Sequence, residues 1–275
     1  MKKTIFGFAA LMSAVVLAAC GGGGTDTSGN NSGGNGNNKE ELTFPIATKN
    51  NDDAIEDGEL EAAVATDSQF KGLFQWEFYQ DSYDAAFMAP SHEPLFANDD
   101  DFRITDDGAA TLDLDEDTKK ATIKVKDNVK WSDGEDVTAD DVIFPYEIIG
   151  NKDYTGIRYD DTFRNIVGME EYHDGSADTI SGIKKIDDKT VEIEYKEVNP
   201  SMLQSGGGIW SYAAPKHTLE GVAIKDMESS DQVRKNPVTF GPYYMSNIVA
   251  GESVEYLPNE HYWNGTPKLK KITMK

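Results

Sequence analysis

The chain has 275 residues, with 49 acidic against 26 basic side chains and a formal charge of −23. That balance excludes a nucleic-acid binder and disfavours direct adhesion to anionic lipid headgroups, because both surfaces would repel it. The length suits one large or two modest domains, and a single cysteine excludes an internal disulfide.

The first twenty residues stand apart from the rest. Lys2 and Lys3 form a basic start, and Thr4 to Ala19 is an apolar run without charge, too short for a membrane span. It ends in Leu17-Ala18-Ala19-Cys20, which resembles a bacterial lipobox. Residues 1–20 are therefore expected to be a lipoprotein signal peptide, with Cys20 as the lipid anchor. The alternative is an ordinary signal peptide with an incidental cysteine. At about 0.8 kcal/mol per buried CH₂, two acyl chains make a stable anchor. Residues 21–39 follow as a Gly/Asn/Ser tether. Such a segment cannot form a core and reaches about 20–25 Å.

Glu59 to Ala65 reads as a first strand. Phe70, Phe74, Trp76, Phe78 and Tyr79 then crowd five rings into ten residues. They are either a core cluster or the aromatic wall of a ligand cleft. Asp81 to Ala89 reads as a short helix stopped by Pro90. Leu112 and Leu114 alternate with Asp113 and Asp115, and Ile123 and Val125 with Thr122, Lys124 and Lys126. This is a hairpin in which acids are expected to face Lys124 and Lys126.

Asp133-Gly134 supplies a turn, and Thr138 with Asp141 three residues on resembles a capping box. Val142, Tyr146 and Ile149 fall on one helical face. Pro145, inside that helix, predicts a kink or an early end. Asn151 to Ser176 reads as loops with one helix around Phe163 to Tyr172. A second hairpin follows, with its turn at Asp187-Asp188-Lys189. Ser205 then precedes Gly206-Gly207-Gly208 and Ile209-Trp210. Glycines let another backbone approach closely and a neighbouring Trp can cover an apolar group, so this is either a flexible loop or a ligand-facing segment. Strands are predicted over Ser253–Leu257 and Leu269–Met274.

Catalytic and metal-binding patterns are missing. His92, His173, His217 and His261 are far apart, and no H-E-x-x-H, C-x-x-C, G-x-S-x-G or P-loop occurs. The residues support no enzyme, no metal and no cofactor.

Several stretches resemble the solute-binding proteins of ABC importers of the oligopeptide, dipeptide and nickel type, family 5. The most specific is Val129-Lys130-Trp131-Ser132-Asp133-Gly134 followed by Val137-Thr138-Ala139-Asp140-Asp141-Val142-Ile143-Phe144. Asp188 to Ile193, Ala214-Pro215-Lys216, Asn236-Pro237-Val238 through Gly241-Pro242-Tyr243, and Asn259 to Gly265 follow in the family's order. Thr239-Phe240 stands where the family usually has Gly-Thr, and Pro145 replaces a small polar residue.

The resemblance implies a mixed α/β fold, a lobe of the type II periplasmic-binding-protein kind with a smaller domain inserted in it. That assigns residues 40–88 plus 178–275 to the first-lobe domain and 89–177 to the insert. Family members are roughly twice this long, so the chain is expected to be an N-terminal fragment lacking the closing lobe, and to bind peptide weakly alone. The resemblance further implies an extracytoplasmic lipoprotein on the cell membrane that captures oligopeptides for ABC permease subunits. A surface peptide (pheromone) receptor or an interaction lipoprotein not coupled to import is the alternative. Phe74, Trp76, Ser205, Gly206, Gly207, Gly208, Ile209 and Trp210 are the expected ligand-binding residues.

Overall fold

Period-two alternation places one apolar row on each strand of the two predicted hairpins, and those rows share one core. In the computed structural model, which describes residues 57–275, the strands are β4 (Ala110–Asp115), β5 (Lys120–Val125), β6 (Ile183–Lys185) and β7 (Thr190–Glu194). They precede or follow, in chain order, β1 (Glu59–Ala62), α1 (Ser82–Met88), β2 (Ala97–Asn98), β3 (Ile104–Thr105), α2 (Ala139–Gly150), α3 (Asp161–Arg164) and α4 (Met169–His173). Three short helices, α5 (Lys216–Leu219), α6 (Ile224–Met227) and α7 (Asp231–Arg234), lead to β8 (Tyr243–Val249), β9 (Ser253–Pro258) and β10 (Lys271–Met274). The predicted signal peptide, Cys20 and the tether lie outside the described residues.

The two hairpins join in one antiparallel sheet of order β4-β5-β7-β6. Ile123, Val125, Val191 and Ile193 are fully buried on one face of it, together with Val142, Tyr146 and Ile149 of α2. The sheet crosses the expected domain boundary at 177/178, since β4 and β5 precede that point and β6 and β7 follow it. Division at that point would pass through a hydrogen-bonded ladder. A second sheet has order β1-β10-β9-β8, with β1 parallel to β10. It covers a separate cluster built on Phe70, Phe74, Phe87 and Tyr256.

Helix α2 is apolar on both sides. Val142, Tyr146 and Ile149 face the first core, while Phe144 and Ile148 join Phe78, Leu219, Met227 and Val233 in a third cluster. Each such fully buried side chain stabilises by roughly 1.5–3 kcal/mol. The capping box is present: the Asp141 carboxylate accepts from the Thr138 N–H at 2.8 Å and from its hydroxyl at 2.9 Å. Pro145 does not end the helix, which runs on to Gly150. Its missing N–H leaves the Asp141 carbonyl without its helical donor, and the Ala214 N–H takes that place at 3.0 Å.

Other expectations are corrected in detail. The register sets Asp115 opposite Lys120 and Asp113 opposite Thr122, while Lys124 faces Thr111. Lys120 makes its ion pair instead with Glu192 of β7, at 2.9 Å. The single helix expected over 163–172 is two, α3 and α4, because Gly168 at φ +79° cannot continue a right-handed turn. Strand β1 ends at Ala62 rather than 65 and is exposed over its first three residues. Strand β8 was not predicted; a register shift between Met245 and Asn247 breaks its alternation. Among the described residues no helix is long and apolar enough to cross a membrane.

Candidate functional site

The triple-glycine segment follows a 3-10 turn at Pro200–Leu203 and leads back toward α2. Gly206 and Gly208 take φ of +78° and +120°, conformations that cost a side chain strain. Gly207 has a different reason to be glycine: a Cβ there would stand 1.7 Å from the Ser201 carbonyl oxygen. The loop is tied across to residue 102, whose carbonyl accepts from the Ser205 N–H at 2.8 Å.

This loop forms one wall of a cavity of about 510 Å³. Ser205, Gly206, Gly208, Ile209 and Trp210 all line it. The opposite walls come from Phe96 to Ile104, from Tyr146 of α2, and from Arg158 to Ile166. Gly207 is not on the lining, since its role is steric closure of the turn.

Aromatic rings connect the two stretches singled out in the sequence. Trp76 stacks on Tyr212 at 4.2 Å and 20°, and Tyr212 meets Trp210 edge-on at 5.6 Å. Trp210 then contacts Phe163 at 5.7 Å, and Phe163 contacts Tyr146 at 5.7 Å. Five rings thus run from Trp76 to the cavity wall. Offset and edge-to-face pairs of this kind add about 0.5–1.5 kcal/mol each beyond area burial. Trp76 itself reaches the cavity only through Tyr212. Phe74, expected at the site, is fully buried against Phe70 in the second core cluster and is not on the lining of this cavity. The chain turns between them, with the Phe78 and Tyr79 N–H groups donating to the Gln75 carbonyl at 2.9 and 3.0 Å, so Phe74 and Trp76 meet different surroundings.

Charge is sparse but placed. Arg158 lines the cavity, its guanidinium 4.0 Å over the Tyr79 ring and donating to the Tyr79 carbonyl at 3.1 Å. Asp160 also lines it, and caps α3 by accepting from the N–H groups of Thr162 and Phe163. Behind the ring ladder, Glu77 is wholly buried and neither carboxylate oxygen has a hydrogen-bond partner. Burial raises its pKa to about 7, against the opposing pull of Gln75, Trp210 and Arg158. His92 is buried too, with Nε2 2.9 Å from the Phe74 carbonyl, and desolvation lowers its pKa to about 4. Burial also raises the Tyr146 hydroxyl well above its ordinary value, so it stays neutral.

Phe96, Phe102, Ile104, Arg158, Phe163 and Tyr212 belong to the cavity and were not predicted. They sit on loops, on the two-residue strand β3 and on the short helix α3, whose meeting depends on contacts distant in sequence, and no local pattern marks them. Among the described residues no three His, Cys, Asp or Glu side chains are grouped to hold a metal. What the geometry offers is an apolar, aromatic recess with one cation and one anion at its wall, suited to holding a side chain.

The model of the bacterial extracellular solute-binding proteins, family 5, middle region, matches residues 103–275. The oligopeptide-binding protein OppA of Lactococcus lactis subsp. lactis is 39% identical over 236 residues, which is 84% of this chain and 39% of that protein. The oligopeptide-binding protein AppA of Bacillus subtilis is 31% identical over 155 residues, 56% of this chain and 25% of its own. A solved structure of lactococcal OppA with an endogenous peptide in the closed conformation matches with a TM-score of 0.76 at 39% identity, covering 79% of this chain and 41% of that one. The substrate-binding protein CtaP of Listeria monocytogenes matches with a TM-score of 0.62 at 28% identity, over 80% of this chain and 41% of its own. The chain therefore spans about two fifths of the length of OppA and CtaP, and the match to AppA a quarter of that protein. Its mixed α/β architecture is that of their matching part, and the chain belongs to the bacterial extracellular solute-binding proteins of family 5.

Proposed function

We propose that this chain forms a peptide-contacting part of an extracytoplasmic solute-binding lipoprotein that captures oligopeptides for an ABC permease, binding without catalysis. The observation that carries the reading is the aromatic recess bounded by the glycine loop, in a chain 39% identical to proteins named for oligopeptide binding. An extended peptide held through its backbone would present side chains alternately. One of them would enter the recess, against Trp210 and Phe163. The backbone contacts of such recognition give affinity with little sequence preference.

Amide NMR with millimolar peptide tests this without requiring tight binding. The peptide should shift the signals of Gly206, Gly208 and Ile209. Shifts confined to other faces, or none at all, would refute it. Anchoring through Cys20 rests on the lipobox likeness, and the variant Cys20→Ala should move the protein from the membrane fraction into the medium. Retention of that variant on membranes would exclude the anchor.

A further inference from the structure

Phe102 holds a backbone conformation unusual for its residue type. It ends the turn between β2 and β3, where the Asp99 carboxylate accepts from the Asp101 and Arg103 N–H groups at 3.0 and 2.8 Å. That turn sets φ of residue 102 at +63°, a region open to glycine or asparagine and an outlier for a bulky ring. The ring gives nothing back to the core: it is 66% exposed and belongs to none of the three apolar clusters. It does stand at the cavity, facing the glycine loop, and the 2.8 Å bond from the Ser205 N–H holds its backbone there. A second tie, the bridge between Arg103 and Gln204, fixes the same approach.

An aromatic kept at positive φ, wet in the free protein and fixed at the rim of an aromatic recess, is arranged for a contact that comes with a ligand. We propose that Phe102 is the cap of the recess, closing its ring over an apolar side chain of the bound peptide and so setting a preference for bulky apolar residues at that position. This rests on the reading of the recess as a peptide side-chain site. The closing contact adds apolar burial only for a side chain large enough to meet the ring, which separates large from small residues.

The test compares the wild-type chain with Phe102→Gly and Phe102→Ala. The probes are 4-methylphenol, a free side-chain mimic, and two peptides identical except for Phe or Gly at one position. Amide shifts of Gly206 and Gly208 report occupancy. Both variants should bind 4-methylphenol three- to tenfold more weakly. Phe102→Gly should nevertheless melt at or above the wild-type temperature, because glycine suits the positive φ. The Phe peptide should weaken by the same factor and the Gly peptide not at all. Unchanged affinity for 4-methylphenol in both variants overturns the cap, as does a wild-type chain that takes none of it at tens of millimolar. So does a loss seen only in Phe102→Ala and in step with its stability. Loss of mimic binding with no shift from either peptide upholds the cap and removes the peptide reading.

Discussion

Replacing Asp141 with alanine is expected to cost about 3–4 kcal/mol of folding stability, measured by urea unfolding. The residue is 4% exposed. One oxygen accepts from the N–H and hydroxyl of Thr138, and the other from the Lys216 N–H at 2.9 Å. Alanine would leave the Thr138 and Lys216 amides without partners, each a loss of about 1–3 kcal/mol. It would also remove negative charge from the helix start. Asparagine keeps one acceptor and the shape, so Asp141→Asn should lose about half as much. The carbonyl of the same residue holds Ala214, hence the damage should reach the segment before α5 as well as α2. A loss under 1 kcal/mol for the alanine variant would show that α2 is held by its apolar faces alone.

Glu77→Gln should produce an effect of similar size that depends on pH. The unfolded carboxyl releases its proton near 4.5 and the folded one near 7. Between those values the native protein holds a proton that the unfolded chain has lost, so stability falls as pH rises through that window. Full ionisation in the buried site costs about 3 kcal/mol. Glutamine is neutral throughout. The gap between variant and wild type should therefore widen in the variant's favour by about 2.5 kcal/mol from pH 5 to pH 8.

His92 contributes the opposite slope. Its unfolded form is protonated below 6.5, whereas the native ring resists protonation down to about 4, so stability gained from it rises with pH across that range. In the wild type the two slopes oppose each other between about 4.5 and 6.5. The Glu77→Gln protein should lose stability on acidification more steeply there. Urea midpoints at pH 5, 6, 7 and 8 decide the matter, and a gap between the two proteins that does not change with pH would show that Glu77 is not buried as a neutral acid.

How far the sequence disclosed this molecule varied by element. The β5–α2 unit was legible because each level agreed: alternation in 122–125, a turn at Asp133-Gly134, a cap at Thr138 and an apolar face at 142, 146 and 149. Propensity overstated the harm of Pro145, whose freed carbonyl finds a donor 73 residues away at Ala214. Alternation identified both hairpins and could not give their register, which the loop between β4 and β5 sets. The glycine loop was legible as an unusual backbone, and five of its six residues do line the recess. The facing wall was not. Phe102, Arg158 and Phe163 come from segments with no period of their own, and they meet the loop only because the two sheets and α2 fix where those segments run. The aromatic stretch 70–79 remained ambiguous for a related reason: composition shows that rings are present, and only tertiary contact shows that Phe74 is interior while Trp76 adjoins Tyr212.

The ring ladder carries an optical consequence. Of the four tryptophans, Trp76 and Trp210 sit on either side of Tyr212, near enough for excitation absorbed by one indole to migrate to the other. Emission from that pair is tied to the polarity and quenching groups beside Trp210, which is where the recess opens. Trp131, enclosed in the first core, supplies a steady background. The chain thus contains its own label-free gauge of what occupies the recess.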